Sequence, residues 1–382
     1  MRYARVLVRR KLLLLPGTTF ASHRLPIARA ALEQGYELHV GAPAGSPRGS
    51  LQHERLHHHT LSLSRRPQGP RRELRAAVDV LSLLRRVRPD LVHLFTPRVI
   101  ASAGPIVRLH PDTAVVGSIT GLGYTFLYDG ATASALRWAV SQAFRVAFAH
   151  PRSHVIVQNR DDLHELSIRH VVDAARTSLI AGSGVDTRRF TVPARRDTEP
   201  LTIVCASRLL WDKGVGEFVE AARMLRRRGT SARFALVGGP DRHNPRQVPR
   251  ASLDRWASEG DVELWGHRED MSEVLRQADV FCLPSYREGM PRALLEAAAC
   301  GCALVTTDAP GCRDFVVHGK HGLLVPPRDS VALADAIDQL IADKDQREML
   351  GRAARAKVES GYTNEQVAQR VLAVYDSLLE AS

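Results

Sequence analysis

Cysteine is sparse and unpatterned in this chain. Its five copies in 382 residues are odd in number and scattered, so they make no disulfide framework. Cys300, Cys302, Cys312 and His318 fit no common zinc spacing, and the cysteines read as small buried thiols. Long apolar runs are lacking too. The longest uncharged stretch outside a plain helix start, Thr113 to Tyr128, falls short of the ~20 residues of a membrane span and contains Gly, Ser and Thr. The run Lys11 to Gly17 is too short for a secretory core and reads as a first strand. No G-x-G-x-x-G follows that strand, which argues against a nicotinamide enzyme. Low-complexity tracts, helix-turn-helix signals and aromatic-basic RNA motifs are missing as well, which argues against a nucleic-acid-binding protein. The expectation is a cytosolic globular chain.

Enough residues are present for two domains, and charge divides them. Residues 1–190 carry 27 Lys+Arg against 13 Asp+Glu, and the remainder 26 against 28. The excess of +12 therefore belongs to the first half, and a basic half suits a polyanion or an anionic membrane. Short apolar runs alternate with helical patterns in both halves, the mark of parallel sheets covered on two faces. In the first half the expected strands are Arg10–Leu15, Tyr36–Gly41, His59–Leu63, Leu91–Phe95 and Ala114–Ile119, with helices over Ile27–Gln34 and Glu73–Val87. In the second they are Thr202–Ala206, Phe234–Val237, Val262–Trp265, Asp279–Leu283 and Ala303–Thr306, with a helix over Val215–Arg227. The expected division is 1–190, a linker over 191–200, a second domain over 201–363, and an amphipathic tail helix within 364–382. Ligands of doubly wound sheets bind beyond the carboxyl ends of the strands.

Two constellations carry chemistry. Glu288-Gly289-Met290-Pro291 follows an expected strand and opens a helix that reaches Glu296, eight positions on. A helix N-terminus presents unpaired N–H groups and suits a phosphate. Carboxylates on either side suit hydroxyls, so the pair fits a ligand with phosphates in the middle and hydroxyls at both ends. Arg208 and Lys213, five apart in Ser207-Arg208-Leu209-Leu210-Trp211-Asp212-Lys213-Gly214, supply fixed cations for a departing diphosphate.

These segments resemble the E-x7-E and R-x4-K-G elements of retaining glycosyltransferases of family 4. Gly182-Ser183-Gly184-Val185-Asp186 with Phe190, Gly238-Gly239, Gly266-His267-Arg268, and the stretch from Pro310-Gly311 to Pro326-Pro327 are similar to further parts of that family's pattern. The resemblance covers the second domain nearly end to end. It implies the GT-B architecture: two Rossmann-like α/β domains facing a cleft, with a C-terminal helix returning to the first. It implies Arg208 and Lys213 on the donor diphosphate, Glu288 on the donor sugar and Glu296 on the ribose. Gly289, Met290, Pro291, Gly17, Gly238 and Arg268 would lie around the nucleotide. No cofactor and no metal are expected.

In the first domain the match is thinner. The loop after strand one, Pro16-Gly17-Thr18-Thr19-Phe20-Ala21-Ser22-His23-Arg24, has one glycine, and Thr120 stands where the family commonly has a histidine. His23, His93 and Thr120 are therefore the acceptor-side candidates, with a satisfied structural histidine the alternative for His23 and for His93. The segment Gly117 to Gly123, with Gln158-Asn159-x-Asp161-Asp162, resembles a subgroup that builds bacterial surface polysaccharide or lipid-linked oligosaccharide. Such enzymes commonly use a UDP donor and a polyprenyl-diphosphate-linked acceptor. The expected function is transfer of a hexose or N-acetylhexosamine to a glycan or lipid-linked acceptor. The alternatives are a GT-B nucleotide-sugar epimerase and, in another class, a basic nucleic-acid-binding protein. The segment Ala133–His150 carries Arg137, Arg145, Trp138, Phe144 and Phe148 with no acidic residue. It is a candidate for contact with the inner face of the plasma membrane. His57-His58-His59, with His53, does not read as a metal site, because consecutive residues of a strand point to alternate faces.

Overall fold

The structure is a computed structural model. It describes residues 10–17, 24–43, 55–63, 69–126, 130–194, 199–241 and 244–380. The chain forms two compact units: Met1–Ser183 with Asn364–Ser382, and Gly184–Thr363.

The first unit is built on a seven-stranded parallel sheet. Its strands are β1 (Lys11–Leu15), β2 (Glu37–Ala42), β3 (Leu56–Thr60), β4 (Leu91–Phe95), β5 (Ala114–Ile119), β6 (Ser153–Val157) and β7 (Thr177–Leu179). They lie in the order β3-β2-β1-β4-β5-β6-β7. Side chains of a strand alternate between faces, so the consecutive leucines of β1 serve two cores. Leu13 and Leu15 join Val92, Leu94 and Val115 under the helices Pro70–Val87, Pro97–Val107 and Ala131–Phe148. Leu12 and Leu14 join Phe95 and Val116 under the helices Leu25–Glu33 and Asn364–Glu380. The tail helix thus belongs to the first unit, burying Val367, Val371, Leu372 and Tyr375 against its sheet.

The second unit is a six-stranded parallel sheet: β8 (Leu201–Ala206), β9 (Ala232–Val237), β10 (Glu263–Gly266), β11 (Val280–Leu283), β12 (Ala303–Thr307) and β13 (Leu323–Val325). Their order is β10-β9-β8-β11-β12-β13. Ile203, Cys205, Leu236, Val280, Cys282 and Val305 pack with the helices Val215–Arg227 and Ser330–Ala342. The order reverses between β8 and β11, the switch point at which ligands of such sheets bind.

Several boundaries differ from the sequence-based expectation. The units divide after Ser183 and not within 191–200. Residues beyond 184 are tied to the second unit: Phe190 is buried, its carbonyl accepts from Arg355 Nη1 at 2.7 Å, and Val192 lies against Gly301. The third strand begins at Leu56, because its pairing with β2 runs from Leu38↔Leu56 to Ala42↔Thr60. The helix Pro97–Val107 and strands β6, β7 and β13 were not foreseen. Gly104 of that helix sits against Ala147, so a close helix crossing overrides the weak helix propensity of its Gly and Pro. All five cysteines are buried free thiols. Among the described residues no helix is long and apolar enough to cross a membrane.

Candidate functional site

The carboxyl ends of β8 and β11 carry the two loops singled out by their charges. After β8 the chain runs through Ser207 and Arg208 into a short 3-10 turn, Trp211–Lys213, and then the helix Val215–Arg227. Gly214 joins turn to helix at φ +70°, where a Cβ would collide with the Pro284 carbonyl oxygen. Glycine is thus required twice, for its dihedral and for the approach of the β11 loop. The Tyr286 N–H donates to the Asp212 carbonyl at 3.0 Å and fastens the loops together.

This contact brings Lys213 to Glu288. The Lys213 ammonium Nζ lies 2.5 Å from Glu288 Oε1, with the side chains 14% and 17% exposed. The same carboxylate oxygen accepts from Ser285 Oγ at 2.8 Å, and the Glu288 N–H donates to the Pro310 carbonyl at 3.0 Å. Gly311, at φ +80°, leaves room for the Glu288 and Gly289 carbonyls; a Cβ there would sit 2.6 and 2.5 Å from them. Beneath lies Cys312, whose thiol is pushed up to about 12 by burial, with the Glu288 charge adding to the effect. It is an inert filler at neutral pH.

Arg208 stands apart from this pair. Its side chain is 57% exposed and its guanidinium bonds Asp241 at 3.0 Å. Asp241 follows Gly238-Gly239-Pro240, and Gly238 lets the loop after β9 press on Ser207, whose carbonyl oxygen a Cβ would strike. The Gly238 N–H donates to the Gly266 carbonyl at 2.8 Å. Arg268 follows that glycine by two residues and grips Asp270 with both guanidinium branches, at 2.7 and 2.5 Å. The grip holds the Asp270 carboxyl down at about 2. The loops after β8, β9 and β10 thus adjoin one another.

Pro291 takes the N-cap position and not the first helical turn, and the helix runs Arg292–Ala299. Met290 is buried beside it. Glu296 is nearly buried and accepts from Arg292 Nε at 2.7 Å. Burial raises its pKa, while the charges of Arg292 and Arg189 oppose the rise. Ser285 and Arg292 were not in the expected set. The Ser285-x-x-Glu288 spacing and the i,i+4 spacing of Arg292 and Glu296 were the signals available for them.

In the first unit, Gly17 follows β1 at φ +72°, beside Val99 and Thr96 at the end of β4. Thr120 is half-buried just past β5. The adjoining loop is held by Asp162, which accepts from the Leu122 N–H at 3.3 Å and from Asn159 Nδ2 at 3.0 Å. His93 is not available as an acceptor-side group. It is fully buried, with Nδ1 2.5 Å from the Tyr375 hydroxyl and Nε2 2.7 Å from Ser118 Oγ. Burial lowers its pKa well below the usual histidine range, so it is a neutral joint between sheet and tail helix. His23 lies outside the described residues.

Residues 200–343 match the family model "Glycosyl transferases group 1", and residues 11–159 match "Glycosyl transferase 4-like". The chain is 31% identical over 277 residues to N,N'-diacetylbacillosaminyl-diphospho-undecaprenol alpha-1,3-N-acetylgalactosaminyltransferase of Campylobacter jejuni, covering 69% of this chain and 70% of that one. It is 29% identical to the amylovoran biosynthesis glycosyltransferase AmsK of Erwinia amylovora, covering 65% and 67%. Among solved structures, sucrose-phosphate synthase from Thermosynechococcus elongatus superposes with a TM-score of 0.82 at 19% identity, over 98% of this chain and all of that one. Anabaena HepE, solved in complex with UDP and glucose, superposes at 0.75 and 19% identity, covering 97% and 100%. The fold is GT-B, and the chain belongs to the GT-B glycosyltransferases.

Proposed function

We propose that the enzyme transfers a hexosyl or N-acetylhexosaminyl group, with retention of configuration, from a UDP-sugar to a glycan or polyprenyl-diphosphate-linked acceptor in bacterial surface polysaccharide synthesis. The observation that carries the donor half is the Lys213–Glu288 pair at the β8/β11 switch point. Lys213 and Arg208, both on the loop after β8, hold the diphosphate, and the N-terminus of the Arg292–Ala299 helix adds its dipole. Glu288 orients the sugar hydroxyls and Glu296 the ribose. The bond from the anomeric carbon to the diphosphate breaks as the acceptor oxygen bonds to that carbon from the same face. A diphosphate oxygen takes the acceptor proton. Charge on the leaving group grows along this path, so fixed cations stabilise the transition state more than the ground state.

The acceptor half rests on the basic first unit and on the relatives' printed activities, one of which names a diphospho-undecaprenol acceptor. The helix Ala131–Phe148 exposes Trp138 (67%) and Leu136 beside Arg137, a composition suited to peripheral contact with anionic lipid. The test is a thermal-shift panel of UDP-, GDP- and ADP-sugars. A ligand at 100 times its Kd adds about 2.7 kcal/mol of stability. A rise confined to the UDP members is the expected result, and no response to any member would overturn the reading.

A further inference from the structure

The far edge of the first sheet carries a cluster that the glycosyl-transfer chemistry does not use. Parallel pairing of β2 with β3 sets His39 opposite His57 and Gly41 opposite His59. Partners in register share a face, so His57 and His59 stand on the face of His39 and of Glu37, two residues earlier on β2. The alternation that separates His58 from its neighbours leaves the other two together. The argument from consecutive histidines missed this, because the further ligands come from the adjacent strand. His53 lies outside the described residues.

The contacts are close. His39 Nε2 is 3.1 Å from Glu37 Oε1, and His57 Nε2 is 3.7 Å from the same oxygen. One ligand atom from each of the three residues lies within 4.8 Å of the others. The His39 and His57 rings stack at 4.8 Å between centroids. On its far side, His39 Nδ1 meets His59 Nε2 at 3.0 Å. We infer that Glu37, His39 and His57 form a binding site for a divalent transition-metal ion of the zinc class, with His59 orienting His39 from behind.

The donor set is right for such an ion: two imidazoles and a carboxylate, with a fourth position left to solvent. A tetrahedral ion with bonds of about 2.1 Å sets its ligand atoms about 3.4 Å apart, so the exposed His57 ring needs to swing inward by up to about 1.4 Å. With metal on Nε2, His39 carries its proton on Nδ1 and donates it to His59, the outer hydrogen bond that fixes a metal-binding histidine. Lys11 and Arg86 also face this cluster and oppose a cation. The Glu37 carboxylate offsets them at the ligand position itself. The bound ion would clip edge strand β3 to β2.

The test is calorimetric titration of the untagged full-length chain with ZnCl2. His57→Ala is the informative variant, since this side chain is 45% exposed, and His58→Ala is its control on the opposite face. We expect one zinc equivalent in the wild type and in His58→Ala, its loss in His57→Ala, and affinity about 10- to 100-fold weaker in His59→Ala. Zinc should also raise the melting temperature of wild type and His58→Ala but not of His57→Ala. Equal zinc binding by His57→Ala and His58→Ala, or no zinc bound by the wild type, would overturn the inference.

Discussion

Replacing Lys213 with methionine tests both tasks assigned to that side chain. Methionine keeps much of the aliphatic stem and removes the charge. Deleting one partner of a fully buried ion pair costs about 3–5 kcal/mol, whereas an exposed pair is worth less than about 1 kcal/mol. Here the side chains are 14% and 17% exposed, and Ser285 Oγ still donates to the Glu288 oxygen at 2.8 Å. The expected loss is therefore about 2–3 kcal/mol, between the two limits. Adding Glu288→Gln removes the carboxylate charge that Lys213 had balanced and should restore at least half of that loss. Donor affinity should fall as well. A lost charge-assisted hydrogen bond of about 1.5–3 kcal/mol weakens UDP binding about 10- to 150-fold. Urea denaturation reads the first effect and calorimetric UDP titration the second. A Lys213→Met protein with wild-type UDP affinity would refute the diphosphate assignment. A double variant no more stable than the single one would refute the coupling of the pair.

Two further predictions follow from buried groups. Tyr375→Phe removes the hydroxyl that meets His93 Nδ1 inside the first unit and should lower its stability by about 1–3 kcal/mol, seen as an earlier urea transition; His93→Phe should remove most of that penalty by eliminating the stranded imidazole. Glu296 has a folded-state pKa raised above its ordinary 4.5, chiefly by burial. The folded state therefore holds more proton than the unfolded state above pH 4.5, and this group's contribution falls as pH rises through the raised value. Glu296→Gln, which mimics the protonated acid, should be more stable than wild type at pH 7 and lose that advantage towards pH 4, while binding UDP more weakly. A stability difference independent of pH would contradict the burial argument.

The glycine positions show how far local pattern reaches. A run such as Arg-Leu-Leu-Trp-Asp-Lys-Gly after an apolar strand announces a loop that ends in a left-handed residue, and Gly214 is that residue. The same run does not announce that Gly214 must also admit the Pro284 carbonyl. Likewise Glu288 and Glu296 were legible as a pair flanking a helix start. Their partners Ser285 and Arg292 left only spacing signals, three and four residues away, that gain meaning once the loop and helix are drawn. The two readings of His93 could not be separated from its strand, because its burial depends on the tail helix, 282 residues away in sequence. Its own strand, Leu-Val-His-Leu-Phe, does not state what covers it.

By itself the amino-acid sequence determined the parallel α/β class, the two-domain division in outline and the residue types at the strand ends. Those depend on hydrophobic period and on backbone dihedrals, which short segments carry locally. Only the tertiary structure decided which charges meet. Lys213 and Glu288 are 75 residues apart and become neighbours because β11 lies beside β8. His39, His57 and Glu37 share one face because β3 pairs with β2 in a particular register. Strand order and register arise from packing among many segments at once, and no single segment encodes them.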